Sequence, residues 1–161
     1  MEMIALSIYL LLVLAVACME AVTDALAIAE DRKIDHASEL RERVILCLAG
    51  GLFIAGLSRN MEWRTLLWLP AAWGLFTPAF RWILNRKRRL DWRYVSPSNW
   101  YDTQFIGMTD ALSAPFGHDY RYAVSKPYQR MIHRAGTIAY AFELTILLAS
   151  LILYAWTQKG V

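Results

Sequence analysis

The stretches MIALSIYLLLVLAVACMEAVTDALAIAED (residues 3–31) and GTIAYAFELTILLASLILYAW (residues 136–156) decide the fold. A helix needs about 20 apolar residues to cross the roughly 30 Å hydrocarbon core of a bilayer, and both stretches reach that length. Each also carries acid: Glu20 and Asp24 in the first, Glu143 in the second. An ionisable group at the centre of a spanning helix costs roughly 2.5–3.5 kcal/mol on insertion scales. The fold must compensate that cost, which predicts a small multi-pass membrane protein with a polar interior.

Composition agrees with this reading. Of 161 residues 57% are hydrophobic, the mean hydropathy is +0.30, and only 19% are charged. Soluble domains carry roughly 25% charge, and here the apolar residues come in blocks separated by charge clusters. The seven Trp and eight Tyr fall mostly near block edges, where aromatic side chains sit at headgroup level. The length suits one integral membrane domain over residues 1–161. Met1, Glu2 and Met3 open the chain without positive charge, and no A-x-A-like small-residue site is followed by a secreted-looking domain, so the first block reads as a retained helix rather than a signal peptide. Cys18 and Cys47 lie inside apolar blocks and read as small buried hydrophobes.

Four spans are expected. The first covers about 3–26, and its helix is expected to continue through EDRKIDHASELRER, which has no Gly or Pro. The second is VILCLAGGLFIAGL, residues 44–57. It rises only about 21 Å, so either Arg43 and Arg59 snorkel to complete the crossing or the segment is re-entrant. Its Cys47, Gly51 and Ala55 form a small-residue stripe suited to close helix approach. The third span, 63–84, contains Pro70, Gly74 and Pro78, which predict a bent or locally broken helix. The fourth is 136–156, its helix starting at Ser125-Lys126-Pro127.

Lys and Arg set the orientation. Loop one holds Arg32, Lys33, Arg41 and Arg43. The third loop, 85–135, and its flanks hold ten more, from Arg81 to Arg134. Only Arg59, Arg64 and Lys159 lie elsewhere. By the positive-inside rule loops one and three face the cytoplasm, and both termini lie outside an inner, cytoplasmic membrane. The third loop opens with NRKRRLDWRYVSPSN, residues 85–99. Its Arg86, Lys87, Arg88, Arg89 and Arg93 suit anionic lipid headgroups, at about 1 kcal/mol per cation. No nucleic-acid module accompanies them, and none is expected to bind. Asn99 then reads as the N-cap of a short interfacial helix with Asp102 in its first turn. Its apolar stripe is Tyr101, Phe105, Met108 and Leu112, and Pro115 and Gly117 end it. The tyrosine-rich HDYRYAVSKPY that follows suits the headgroup boundary.

On span four, His133, Gly136, Tyr140, Glu143, Leu147, Ser150 and Tyr154 recur at steps of three and four, one continuous seam. On helix one, Glu20, Asp24, Asp31 and Asp35 share a face. The orientation puts Glu20, Asp24 and Glu143 in the cytoplasmic half, where a polar pocket with Arg81, Asp102, His133 and Tyr140 is expected. Structural pairing is the leading reading, with Arg81, His133 or Tyr140 donating to the acids. A metal or hydrolytic site is the second, drawing on these acids and on His36, His118 and His133 as donors. The spacing contains no H-E-x-x-H, no Cys pair, no G-x-S-x-G and no Walker-type loop, so it names no cofactor. Proton or ion movement along the acidic face is the third.

MEAVTDAL, followed later by FRWILNRKRRLDWRYVSPSNWYD, resembles a loose group of small multi-pass proteins of bacterial and phage genomes. They carry an E-A-x-x-D helix and a later N-x-x-R…W-x-Y…D segment. The group has no assigned activity. The resemblance implies only that Glu20, Asp24, Asn85, Tyr94 and Asp102 form one cytoplasmic-face constellation. The expected whole is an all-α, four-span bundle with one interfacial helix. It would act as an assembly subunit, either a homo-oligomer or part of a larger membrane complex. The alternatives are a membrane-embedded enzyme or a proton-conducting module.

Overall fold

The computed structural model describes residues 2–32, 36–57, 63–96, 100–113 and 126–158. All regular structure among them is helical: α1 (Glu2–Ala29), α2 (His36–Leu57), a 3-10 turn (Trp63–Leu67), α3 (Trp68–Lys87), α4 (Trp100–Ser113) and α5 (Lys126–Gln158). Helix α3 is central and packs against both α1 and α5, while α4 packs on α5. Two helices, over Met3–Ala29 and Gln129–Gln158, are long and apolar enough to cross a membrane. The apolar part of α2 is shorter, Val44–Gly56.

Helix α1 contains no Gly or Pro and is rich in Ala and Leu, the best helix formers. Leu6, Tyr9, Val13, Ala17, Ala21 and Asp24 recur along it at steps of three and four and are buried, which makes one stripe face the bundle. The expected continuation of this helix through residues 30–43 is corrected. The helix stops at Ala29 because Asp31 turns left-handed, with φ 52°. Arg32 N–H then bonds Ala27 O at 2.9 Å and Asp31 N–H bonds Ile28 O at 3.2 Å, which closes the end as a Schellman motif. Aspartate tolerates that conformation better than most residues, so the stop needs no glycine. Asp31 is exposed beyond the helix end, off the face expected to join it to Glu20 and Asp24; Asp35 lies outside the described residues.

Residues 36–43, assigned by sequence to the first helix, belong instead to α2, whose 22 residues rise about 33 Å. Its small-residue stripe packs as expected. Gly51 and Ala55 are buried, a Cβ on Gly51 would sit 3.4 Å from the Tyr9 ring, and the Tyr9 hydroxyl donates to Cys47 O at 3.1 Å. Tyr9 stacks on Trp68, and Trp68 meets the edge of Tyr154. These rings gather the start of α1, the end of α2, the start of α3 and the end of α5 at one end of the bundle.

The expected break in the third segment takes a different place. Residues 63–67 wind as a 3-10 turn, and α3 then runs unbroken through Pro78. Pro70 falls in the first turn, where its missing N–H has no intrahelical partner to lose. Gly74 serves contact rather than bending: a Cβ there would lie 2.6 Å from Glu143 O and 2.7 Å from Leu147 N. The α3 and α5 backbones touch at this point. Helix α3 ends as α1 does, with Arg89 at φ 56°, Leu90 N–H on Asn85 O at 2.9 Å and Arg89 N–H on Arg86 O at 3.2 Å.

Helix α4 forms where expected, but its stripe is corrected. Asp102, Phe105 and Thr109 are buried, whereas Met108 is exposed. A polar group placed off the apolar stripe therefore faces inward, because Asp102 has an ionic partner there. Helix α5 starts at Lys126, and its seam faces inward in part, with His133, Tyr140 and Leu147 half-buried. Gly136, Glu143, Ser150 and Tyr154 are buried, while Leu148 and Ile152 point outward.

Candidate functional site, a buried ion cluster at the polar end

The end of the bundle opposite the aromatic cluster is built around Arg81 of α3. Its guanidinium is buried and forms a fork on Glu143 of α5, with Nη1 to Oε2 at 2.8 Å and Nη2 to Oε1 at 3.0 Å. Nη2 also reaches Asp102 Oδ1 of α4 at 3.0 Å. The second Asp102 oxygen accepts the Ser96 backbone N–H at 2.8 Å. A planar guanidinium with five fixed donors suits such a bidentate and bridging role, which a lysine could not fill. The Tyr140 ring lies 5.3 Å and the Tyr101 ring 6.0 Å from the guanidinium carbon, so aromatic faces flank the cation. Burial pushes the Tyr101 phenol above its ordinary range, with the nearby Glu143 carboxylate adding to the shift.

The chain between α3 and α4 is fastened onto this cluster. Asn85 is buried and its amide donates to Tyr94 O at 2.7 Å and Trp92 O at 3.3 Å. The Tyr140 hydroxyl donates to Trp92 O at 2.9 Å. Gly136 lets the same segment lie on α5, since a Cβ there would overlap the Arg93 carbonyl. Val95, Phe105, Ile132, Ala135 and Ala139 close a small apolar core beneath it. Within the turn Asp91 pairs with Arg93 at 3.0 Å. The Arg93 hydrogen bond holds the Asp91 carboxyl down at about 2, so this pair stays ionised across the neutral range.

Of the residues expected in a polar pocket, Arg81, Asp102 and Glu143 meet directly, with Tyr140 against them. Asp24 is buried on the inward stripe of α1, and Glu20, one turn earlier, is half-buried. His133 is half-buried on α5, ten residues before Glu143, or about 15 Å of helix rise. It lies near Asp91. His36 opens α2, but its side chain lies outside the described residues, as does His118. Among the described residues no three His, Cys, Asp or Glu side chains gather in a way that holds a metal ion.

Sequence reasoning reached Arg81 as counter-charge but missed Ser96, Tyr101 and Gly74. Gly74 carried a signal, a glycine on α3 facing the polar seam of the last helix, which the prolines beside it obscured. The Ser96 amide carried none, since a backbone donor is chosen by loop geometry alone. Compared with known proteins, the chain matches no family model, no curated protein and no solved structure.

Proposed function

We propose that the chain is a four-span integral membrane protein of an inner membrane, with both termini outside and the ion cluster facing the cytoplasm. It acts as an assembly subunit, and the cluster locks its cytoplasmic half. Helices α1, α2, α3 and α5 are the spans in this reading, α2 with its basic flank and α3 with the 3-10 turn extending it. Support for the membrane comes from the two long apolar helices, of whose spanning windows only 28% and 22% is buried inside the chain. A core helix of a soluble protein would be mostly buried.

One observation carries the assembly reading. Among its described side chains, helix α2 touches the bundle along Cys47, Gly50, Gly51, Ile54 and Ala55 and leaves Val44, Ile45, Leu46, Leu48, Leu52 and Phe53 open. A helix so thinly attached suits packing against another copy. Native mass spectrometry of the chain released from lipid nanodiscs, with elemental analysis of the same sample, tests this. The expected result is a discrete homo-oligomer without stoichiometric metal, weakened by Leu52→Ala with Phe53→Ala. A monomer overturns it. A monomer whose stoichiometric metal is lost in Glu20→Gln or Asp24→Asn would put the membrane-enzyme reading in its place.

A further inference from the structure

The last turn of α3 and the cap that closes it carry Arg86, Lys87 and Arg89 on an exposed surface, and among the described residues none of the three forms an ion pair. Three cations within four residues repel one another and call for an anion from outside the chain. They are not needed to cap the helix, because the Schellman bonds already satisfy the Leu84, Asn85 and Arg86 carbonyls. Neighbouring cations are otherwise engaged: Arg93 pairs with Asp91 and lies over Trp92, and Arg88 lies over Tyr94.

Two further observations say where this surface lies. Trp82, one turn before Arg86 and on the same helix face, is half-exposed, and so is Trp92 on the turn that follows. Exposed tryptophan beside exposed cation marks headgroup height on a spanning helix. The turn bearing Trp92 is also held rigid by Asn85, Tyr140 and the approach to Gly136, so the surface is preformed. We propose that the end of α3, with Arg86, Lys87 and Arg89 between Trp82 and Trp92, binds the phosphate of an anionic phospholipid headgroup. This rests on the reading that α3 crosses the membrane.

The test is retention of phosphatidylglycerol over phosphatidylcholine by the full chain, read by native mass spectrometry from nanodiscs holding equal parts of each. The wild type retains phosphatidylglycerol preferentially. The combined variant Arg86→Gln, Lys87→Gln, Arg89→Gln loses about a hundred-fold of that preference, at about five-fold per cation. Arg86→Lys with Arg89→Lys keeps most of it, and Arg130→Gln with Arg134→Gln, which removes exposed charge from α5, loses less per charge. No preference in the wild type overturns the proposal, as does equal loss per charge from the two sets, which would mean bulk charge. Binding of inorganic phosphate that the triple variant loses, with no preference between the two lipids, would assign the surface to free phosphate and also overturn it. An alkaline carbonate wash that strips the chain from membranes defeats the membrane reading as well; retention through the wash with no lipid preference defeats only the headgroup site.

Discussion

At Arg81 one guanidinium meets two carboxylates from two other helices, all three groups buried. Buried ion pairs add little net stability over an apolar replacement, but removing one member leaves charge stranded. Arg81→Met is therefore expected to cost about 3–5 kcal/mol in thermal or denaturant unfolding in micelles. Adding Asp102→Asn and Glu143→Met to it is expected to recover most of the loss. A single variant as stable as wild type, or a triple no better than the single, would contradict a structural role. Gly136 is the second sensitive position. Alanine gains about 1 kcal/mol of helix propensity there, but its Cβ meets the Arg93 carbonyl, a main-chain atom that cannot rotate away. Gly136→Ala is expected to lower stability by about 1–3 kcal/mol, with faster amide exchange at 92–95 as the local readout. Arg81 was legible because a lone cation beside buried acids has one evident use. Asp102 was legible as a candidate but not as a direct partner, since its apolar neighbours on α4 suggested an outward-facing polar side.

At the level of elements, the seam of α5 was legible at Gly136, Glu143, Ser150 and Tyr154, because helical spacing of such residues in an apolar span has one inward solution, whereas the buried Ile132, Ala135 and Ala139 beside it were not. The ends of α1 and α3 were not. Both close through left-handed residues that are not glycine, Asp31 and Arg89, and pattern reading looks for glycine there. This cap carries a prediction. A left-handed residue with a long side chain costs about 1–2 kcal/mol, so Arg89→Gly is expected to raise the unfolding midpoint in zwitterionic micelles. Asp31→Gly is expected to gain less, since aspartate already tolerates the conformation. If Arg89→Gly lowers the midpoint, the cap is not the strained feature its geometry indicates.

At the scale of the molecule, the two ends of the bundle close differently, one by stacked rings and the other by a buried ion cluster flanked by rings. Tyr9, Trp68 and Tyr154 close one end, and Arg81, Asn85, Asp102 and Glu143 close the other. Glu143, one of the three acids that first looked like a mid-membrane liability, is paired within the chain by an arginine on α3, and Asp102 of the helix outside the main bundle shares that arginine. All-helical architecture and the two long apolar helices were legible from composition and block length. The docking of α4 by an ion pair was not, because it depends on a contact between residues 21 positions apart in the chain. The most direct test of the membrane arrangement is sidedness of labelling by a membrane-impermeant thiol reagent. Single cysteines at Lys87→Cys and Lys159→Cys, in a background with Cys18→Ala and Cys47→Ala, report the two ends. Four spans with the ion cluster inside predict labelling of position 159 in intact cells and of position 87 only after lysis. Labelling of both from the same side would contradict it.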